Sequence, residues 1–324
     1  MKLKLFSLLP VTTALLSPAL AHAQLYSEDF DADHTASWTV NSGPGANLAN
    51  FFFDYSSVGI PSAPHSSGGS TLGLRLNANL DASVQALGGI SVSPTGQSFG
   101  GDYQLRFDLW LNFNGPAPVG GSGSTQISGG GIGSSGTVAN YAGVADGVWF
   151  SGSGDGNSSA DFRAYTPAFP ASLGDASGVY TANNRNQSAP LYTASFPART
   201  APAAQTALFP QQTGSALAGS LAWQWHDVKI DKVGNIVTWN MDGILLATLD
   251  LSTNGTLGGS NILLQQSDIN TTASTDVNRT NLIFGLFDNV VVSAVPEPNV
   301  ALITFGAVAT MGFAHRIRRG RRNS

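Results

Sequence analysis

The chain has 324 residues, no cysteine and a formal net charge of −5. Without cysteine there is no disulfide, no thiol nucleophile and no Cys-ligated metal. Lys2, Lys4 and the five arginines beyond position 315 hold seven of the fifteen basic residues, so residues 24–294 carry eight basic against nineteen acidic groups, or −11. That balance excludes the positive footprint that nucleic-acid binding needs. Of the nineteen acids all but Glu28 are Asp, a residue of turns and strand ends that is also a hard oxygen ligand.

The N-terminus reads as a secretory signal, residues 1–23. Lys2 and Lys4 precede an apolar stretch from Leu5 to Leu20, broken by Pro10 and Pro18, and Ala21-His22-Ala23 supplies the small-x-small cleavage pattern. Export is therefore expected, with a mature chain starting at Gln24. A body of about 270 residues follows, 24–294, which suits one all-β domain.

Its strands are legible by period-two alternation. Leu72, Leu74 and Leu76 mark a short one. Tyr103 to Phe113 is the clearest: Tyr103, Leu105, Phe107, Leu109, Leu111 and Phe113 share one face, and Gln104, Arg106, Asp108, Trp110 and Asn112 the other. One face belongs in a core and the other meets solvent or ligand. Gly115 to Gly136 is Gly/Ser-rich and reads as a flexible segment. A strand is expected around Val148–Phe150. Gly152 to Asn157 lacks EF-hand spacing and reads as a turn, and Ser151 to Ser220 has no sustained periodicity. That stretch should hold short strands and wall one face.

From Trp223 to Leu251 a three-stranded meander is predicted. Trp225 to Asp231 and Ile236 to Asn240 flank a turn at Gly234-Asn235, and Asp242-Gly243 is a hairpin signal before Ile244 to Leu251. A last strand runs from Leu282 to Ser293. The Trp-His-x-Val-x-Ile strand, the turn, the strand ending in Trp239 and Asp242-Gly243 resemble laminin-G-like and concanavalin A-like jelly rolls over about 30 residues. The fold expected is all-β, a two-sheet antiparallel jelly-roll sandwich, with a C-terminal hydrophobic helix appended.

That helix belongs to residues 295–324. Val295-Pro296-Glu297-Pro298 precedes an apolar run from Val300 to Ala314 and then Arg316-Ile317-Arg318-Arg319-Gly320-Arg321-Arg322. The three-part order resembles the PEP-CTERM sorting signal. The prolines keep the box extended, and the arginines belong on the cytoplasmic side of the inner membrane. Fifteen residues of helix span about 22 Å against a hydrocarbon core of roughly 30 Å, a deficit that snorkelling Arg side chains reduce. The run suits a temporary anchor. The resemblance implies recognition by an exosortase-type membrane protease, with Pro296, Glu297, Pro298, Arg316, Arg318 and Arg319 carrying the signal. It also implies delivery to the outer surface or extracellular matrix of a Gram-negative bacterium that makes exopolysaccharide.

Three candidate sites stand out. Arg106, Asp108, Trp110 and Asn112, joined by Asp146 and Trp149, offer an aromatic platform with hydroxyl-binding side chains for a polysaccharide. Glu28, Asp29 and Asp31 open the mature chain while Asp288 and Asn289 lie on the last strand. Terminal strands of jelly rolls are often neighbours, so these oxygens are a candidate structural Ca2+ site. Catalysis has weaker support. There is no Glu-x-Asp-x-x-Glu cluster, no Gly-x-Ser-x-Gly elbow, no His-Glu-x-x-His helix and no phosphate loop, and His34, His65 and His226 stand isolated in the sequence. The sequence thus favours a non-enzymatic surface protein that associates with exopolysaccharide. A glycoside hydrolase or polysaccharide lyase, and a structural coat component without ligand, are the alternatives.

Overall fold

The computed structural model describes residues 23–81, 87–115 and 124–295. Ala21 of the cleavage pattern, the Pro-Glu-Pro box, the apolar run and the arginine cluster lie outside them. Among the described residues fourteen strands form two antiparallel sheets. In chain order they are β1 (Gln24–Glu28), β2 (Trp38–Ser42), β3 (Leu48–Asp54), β4 (Leu72–Asn77), β5 (Gly88–Pro94), β6 (Tyr103–Asn112) and β7 (Gln126–Ser134). Then come β8 (Val148–Ser153), β9 (Phe162–Tyr165), β10 (Trp225–Val233), β11 (Ile236–Met241), β12 (Ile244–Asp250), β13 (Asn261–Asp268) and β14 (Phe284–Ala294). The larger sheet runs β12-β11-β10-β6-β14-β4-β3, with β1 also paired to β14, and the smaller runs β2-β5-β13-β7-β8-β9. The expected two-sheet antiparallel sandwich is the observed one.

The core lies between the sheets. Leu105, Phe107 and Leu109 of β6, Val228 and Ile230 of β10, and Val290 and Val292 of β14 meet Ile90, Val92, Ile132, Val148, Phe150, Ile262 and Leu264 from the smaller sheet. Each set is the apolar half of a period-two alternation, so the pleat places every member inward at once. Phe107 has no exposed surface and packs against Phe287 with ring centroids 5.8 Å apart.

One expectation is corrected and another is met. The Gly-rich run read as flexible contains β7, which lies inside the smaller sheet between β13 and β8. Its glycines answer to packing: a β-carbon on Gly130 would lie 2.9 Å from the Phe107 ring, and one on Gly131 2.4 Å from the β-carbon of Trp149. Close approach of neighbours, with no side chain to signal it, is why composition alone misleads here. The aperiodic stretch 151–220 holds the rest of β8, β9 and two short helices, α1 (Pro190–Ser195) and α2 (Ala203–Leu208). Short elements of four to six residues leave too little pattern to register.

Truncating Phe107 removes an aromatic ring from the centre of this core. Phe107→Ala is expected to lower the unfolding free energy by about 3–5 kcal/mol in urea titration. A loss below about 1 kcal/mol would show that the inter-sheet contact is far looser than described.

Candidate functional site

The outward face of β6 does not stay open along its length. Gln104 and Arg106 are half-buried, whereas Asp108, Trp110 and Asn112 are each at most 2% exposed. The segment 55–71 covers them. Tyr55 donates its hydroxyl to Asp288 Oδ2 (3.1 Å), Ser66 Oγ donates to the same oxygen (2.8 Å), and the His65 N–H donates to Asp108 Oδ2 (3.2 Å). Trp110 joins a second apolar cluster beneath this cover, with Tyr55, Phe113, Trp223 and Leu286. Its indole donates to Asn112 Oδ1 (3.1 Å), and the Asn112 amide donates to the Leu282 carbonyl (2.9 Å). Trp110 and Asn112 are therefore packing and scaffold residues, not a platform for ligand.

Trp149 sits on the other sheet, and Asp146 lies in the β7–β8 connection that precedes it. Asp146 holds the β7–β8 connection together, accepting from Ser134 Oγ (2.8 Å), the Ser135 N–H (2.9 Å) and Asn140 Nδ2 (2.7 Å). Trp149 has no exposed surface and stacks on Tyr165, centroids 3.6 Å apart. Neither joins the β6 face.

The terminal strands are neighbours, as expected: Glu28 of β1 faces Val290 of β14. The carboxylates, however, are engaged separately. Glu28 accepts from His34 Nδ1 (2.9 Å) and the Phe30 N–H (2.9 Å). Asp29 accepts from the Asp31 N–H (3.1 Å), and Asp31 from the Ser70 hydroxyl. Asp288 faces the other way, under Tyr55 and Ser66. Among the described residues the one group of three or more potential ligands within 4.8 Å of one another is His65, Asp108 and Asp227.

That group is the centre of the site. Asp227 of β10 and Asp288 of β14 both pair with Asp108 of β6, so three aspartates occupy one register level on adjacent strands. Like charges directly opposite repel, and each carboxylate is relieved differently. Burial works against the charge of Asp227, but hydrogen bonds from Arg106 Nε (2.6 Å) and Lys229 Nζ (3.1 Å) outweigh it and hold the group below the ordinary carboxylate range. Asp108 accepts from His65 Nδ1 (2.6 Å) and Asn289 Nδ2 (2.9 Å). Asp288 is pushed up to about 7 by burial, with the charge of Asp108 adding to it, against hydrogen bonds from Ser66, the Asn289 N–H and Tyr55.

The backbone at Asn289 makes this possible. β14 pairs with β4 over Gly285–Phe287 and with β1 over Val290–Ser293, and its register with β6 slips between Asp288 and Val291. Asn289 takes the left-handed conformation at this bulge (φ 51°), which an Asn tolerates better than most residues. The change of partner leaves a cavity of about 350 Å³ lined by Ser27, Glu28, Asp29, His34, His65, Arg106 and Asn289.

Arg106 links the groups. Its Nη2 donates to His65 Nε2 while its Nε donates to Asp227. A guanidinium only donates, so the His65 proton lies on Nδ1, facing Asp108. Arg106 thus supplies positive charge to two members of the His65–Asp108–Asp227 triangle, and a cation bound to them would compete with it. None of the three histidines is isolated: His34 pairs with Glu28, His65 with Asp108 and His226 with Asp242. His65 lies in a Pro/Ser/Gly stretch without periodicity and leaves no signal in the sequence. Asp227 was readable, since Trp225, Asp227, Lys229 and Asp231 alternate with the core residues of β10.

No protein-family model matches the chain, and no curated protein matches it in sequence. Solved structures match it in fold. An endo-β-1,4-glucuronan lyase from the fungus Trichoderma reesei is 10% identical over 84% of this chain and 96% of its own, TM-score 0.42. A Bacillus subtilis protein of unknown function with a galectin-like fold gives 11%, 84%, 96% and 0.40, and the laminarinase catalytic domain of Thermotoga maritima 11%, 85%, 99% and 0.42. Likenesses this distant transfer no site residue.

Asp288 carries a pH signature. Its carboxyl binds a proton more tightly in the folded chain than in the unfolded one, so its contribution to stability is complete below about pH 4 and lost as pH rises towards 7. Asp268, pushed by burial to about 6, acts in the same direction. The melting temperature of the protein is expected to fall between pH 5 and 8, and Asp288→Asn to reduce that fall by about 2–4 °C. An unchanged pH profile in the variant would mean that Asp288 ionises freely in the fold.

Proposed function

We propose that this chain is an exported surface protein that associates with polysaccharide through the outer face of the larger sheet. The observation that carries the reading is the polar lattice on β6, β10 and β11. Gln104 Nε2 donates to Asp231 Oδ1 (2.6 Å), Arg106 Nε to Asp227 Oδ1 (2.6 Å) and Lys229 Nζ to Asp227 Oδ2 (3.1 Å), with Thr238 and Asn240 beside Asp231. All seven side chains are half-buried. Charged and amide groups held in place by one another pay little ordering entropy on binding, which suits recognition of sugar hydroxyls. The cavity at His65 and Arg106 continues this face.

Export and sorting rest on the two terminal signals. They are supported by the span of the sandwich, whose first strand starts at Gln24, just after Ala23, and whose last ends at Ala294, just before Val295-Pro296-Glu297-Pro298. In this reading the apolar tail anchors the protein transiently in the inner membrane of a Gram-negative bacterium, and an exosortase-type protease is its processing partner. The jelly-roll body then meets exopolysaccharide at the surface.

A second reading, acid–base cleavage of a polysaccharide, is favoured by one observation. His65 is oriented by Asp108 through Nδ1, and its Nε2, which accepts from Arg106, lies at the wall of the cavity; a substrate anion that draws Arg106 away would free that nitrogen to act as a general base.

Both readings are tested with the purified protein and a polysaccharide panel, scoring retardation in affinity gels together with release of reducing or unsaturated ends. Binding without product is expected. Arg106→Ala should weaken it by at least tenfold with an unchanged far-UV spectrum, and neither calcium nor a chelator should alter it, because Arg106 already engages Asp227 and His65 Nε2. Product release that disappears in His65→Ala would replace binding by catalysis. Undiminished binding by Arg106→Ala would remove the outer face from the account.

A further inference from the structure

On the same face a second cavity, of about 560 Å³, opens on the far side of segment 55–71. Pro61, Arg199, Thr200, Trp223, Gln224 and Trp225 are among its walls. Four features set it apart. Trp225 is half-buried, so part of its ring is accessible. The ring is held edge-on by Trp110 (5.8 Å) and Tyr55 (5.4 Å), and its indole donates to the Pro61 carbonyl (2.8 Å). Trp223, 4% exposed and stacked on Phe113 (4.4 Å), has no hydrogen-bond partner for its indole N–H. The Trp223 backbone is left-handed (φ 64°), a conformation that costs a bulky residue energy and that clusters at functional positions. Finally, Arg199 is exposed and forms no ion pair among the described residues.

We propose that this cavity is a stacking subsite for a pyranose ring, with Trp225 as its floor. The inference rests on the polysaccharide reading and extends it along the same sheet. A pyranose has an apolar C–H face and a hydroxylated edge, which match an accessible indole beside the Gln224 amide, the Thr200 and Ser215 hydroxyls and the Arg199 guanidinium. A cationic guest, which an aromatic cage would otherwise suit, is opposed by Arg199. Trp225 pairs with Trp110 two residues from the Asp227–Asp108 pair, so the subsite lies about 7 Å along β10 from the aspartate row. One saccharide chain crossing beside Pro61 and His65 reaches both places.

The test titrates the full-length chain with oligosaccharides of graded length cut from the polysaccharide it binds, using calorimetry. Trp225→Ala should weaken binding of the longer oligosaccharides by tenfold or more and leave the shortest unaffected, while Trp225→Phe stays within threefold of the parent. Arg199→Ala and Gln224→Ala, both on the cavity rim, should each lose about threefold for the longer ligands. If Trp225→Ala does not fold, these two variants decide, and parent-like affinity in both overturns the subsite. Loss of all binding in Arg106→Ala together with none in a folded Trp225→Ala would sink the subsite and leave the polysaccharide reading intact. A parent protein that binds no saccharide at any length would sink both.

Discussion

The outer face of this protein depends on the break in β14 at Asp288-Asn289. β14 changes its neighbour from β4 to β1 where its register with β6 slips, and the left-handed Asn289 sits at that slip. The side chain of Asn289 then closes the break, donating to Asp108 Oδ2 (2.9 Å) and to Ser66 Oγ (3.2 Å). With that bridge in place, segment 55–71 has fixed points on the sheet: Ser66 and Tyr55 on Asp288, His65 on Asp108, Pro61 on Trp225. The segment divides the face into two cavities and buries the residues between them.

Charge compensation explains which residues remain available. Three aspartates at one register level form a stable row because one is held ionised by Arg106 and Lys229, one is bonded by His65 and Asn289, and one takes up a proton near neutral pH. A metal is one solution to such a row; here a guanidinium, an imidazole and a protonated carboxyl share that task. The body's excess of acid therefore coexists with a cation at the wall of the cavity. Arg106, His65 and Lys229 keep a third or more of their side chains in solvent.

Much of this was legible in the sequence, and the limits have physical causes. The strands β6, β10, β11, β12 and β14 show themselves by alternation, because each buries one face against the other sheet. β7 does not, since its glycines are demanded by the ring of Phe107 and the β-carbon of Trp149, which no local pattern reveals. Alternation puts Arg106 and Asp108 on the outer face of one strand and Asp288 and Asn289 on the last strand, and from sequence the two sets read as different sites. Their meeting follows from strand order, which alternation cannot supply. The burial of Trp110 has a second cause: period two says which side of a sheet a residue takes, and a covering loop decides whether that side is wet. The half-open aromatic is its cross-strand partner Trp225.

The most direct test of the account is hydrogen exchange across the whole chain with and without saturating polysaccharide. Slowed exchange concentrated in β6, β10 and segment 55–71, with β2, β5 and the β7–β8 connection unaffected, is the result the account predicts. Protection confined to the smaller sheet would contradict it.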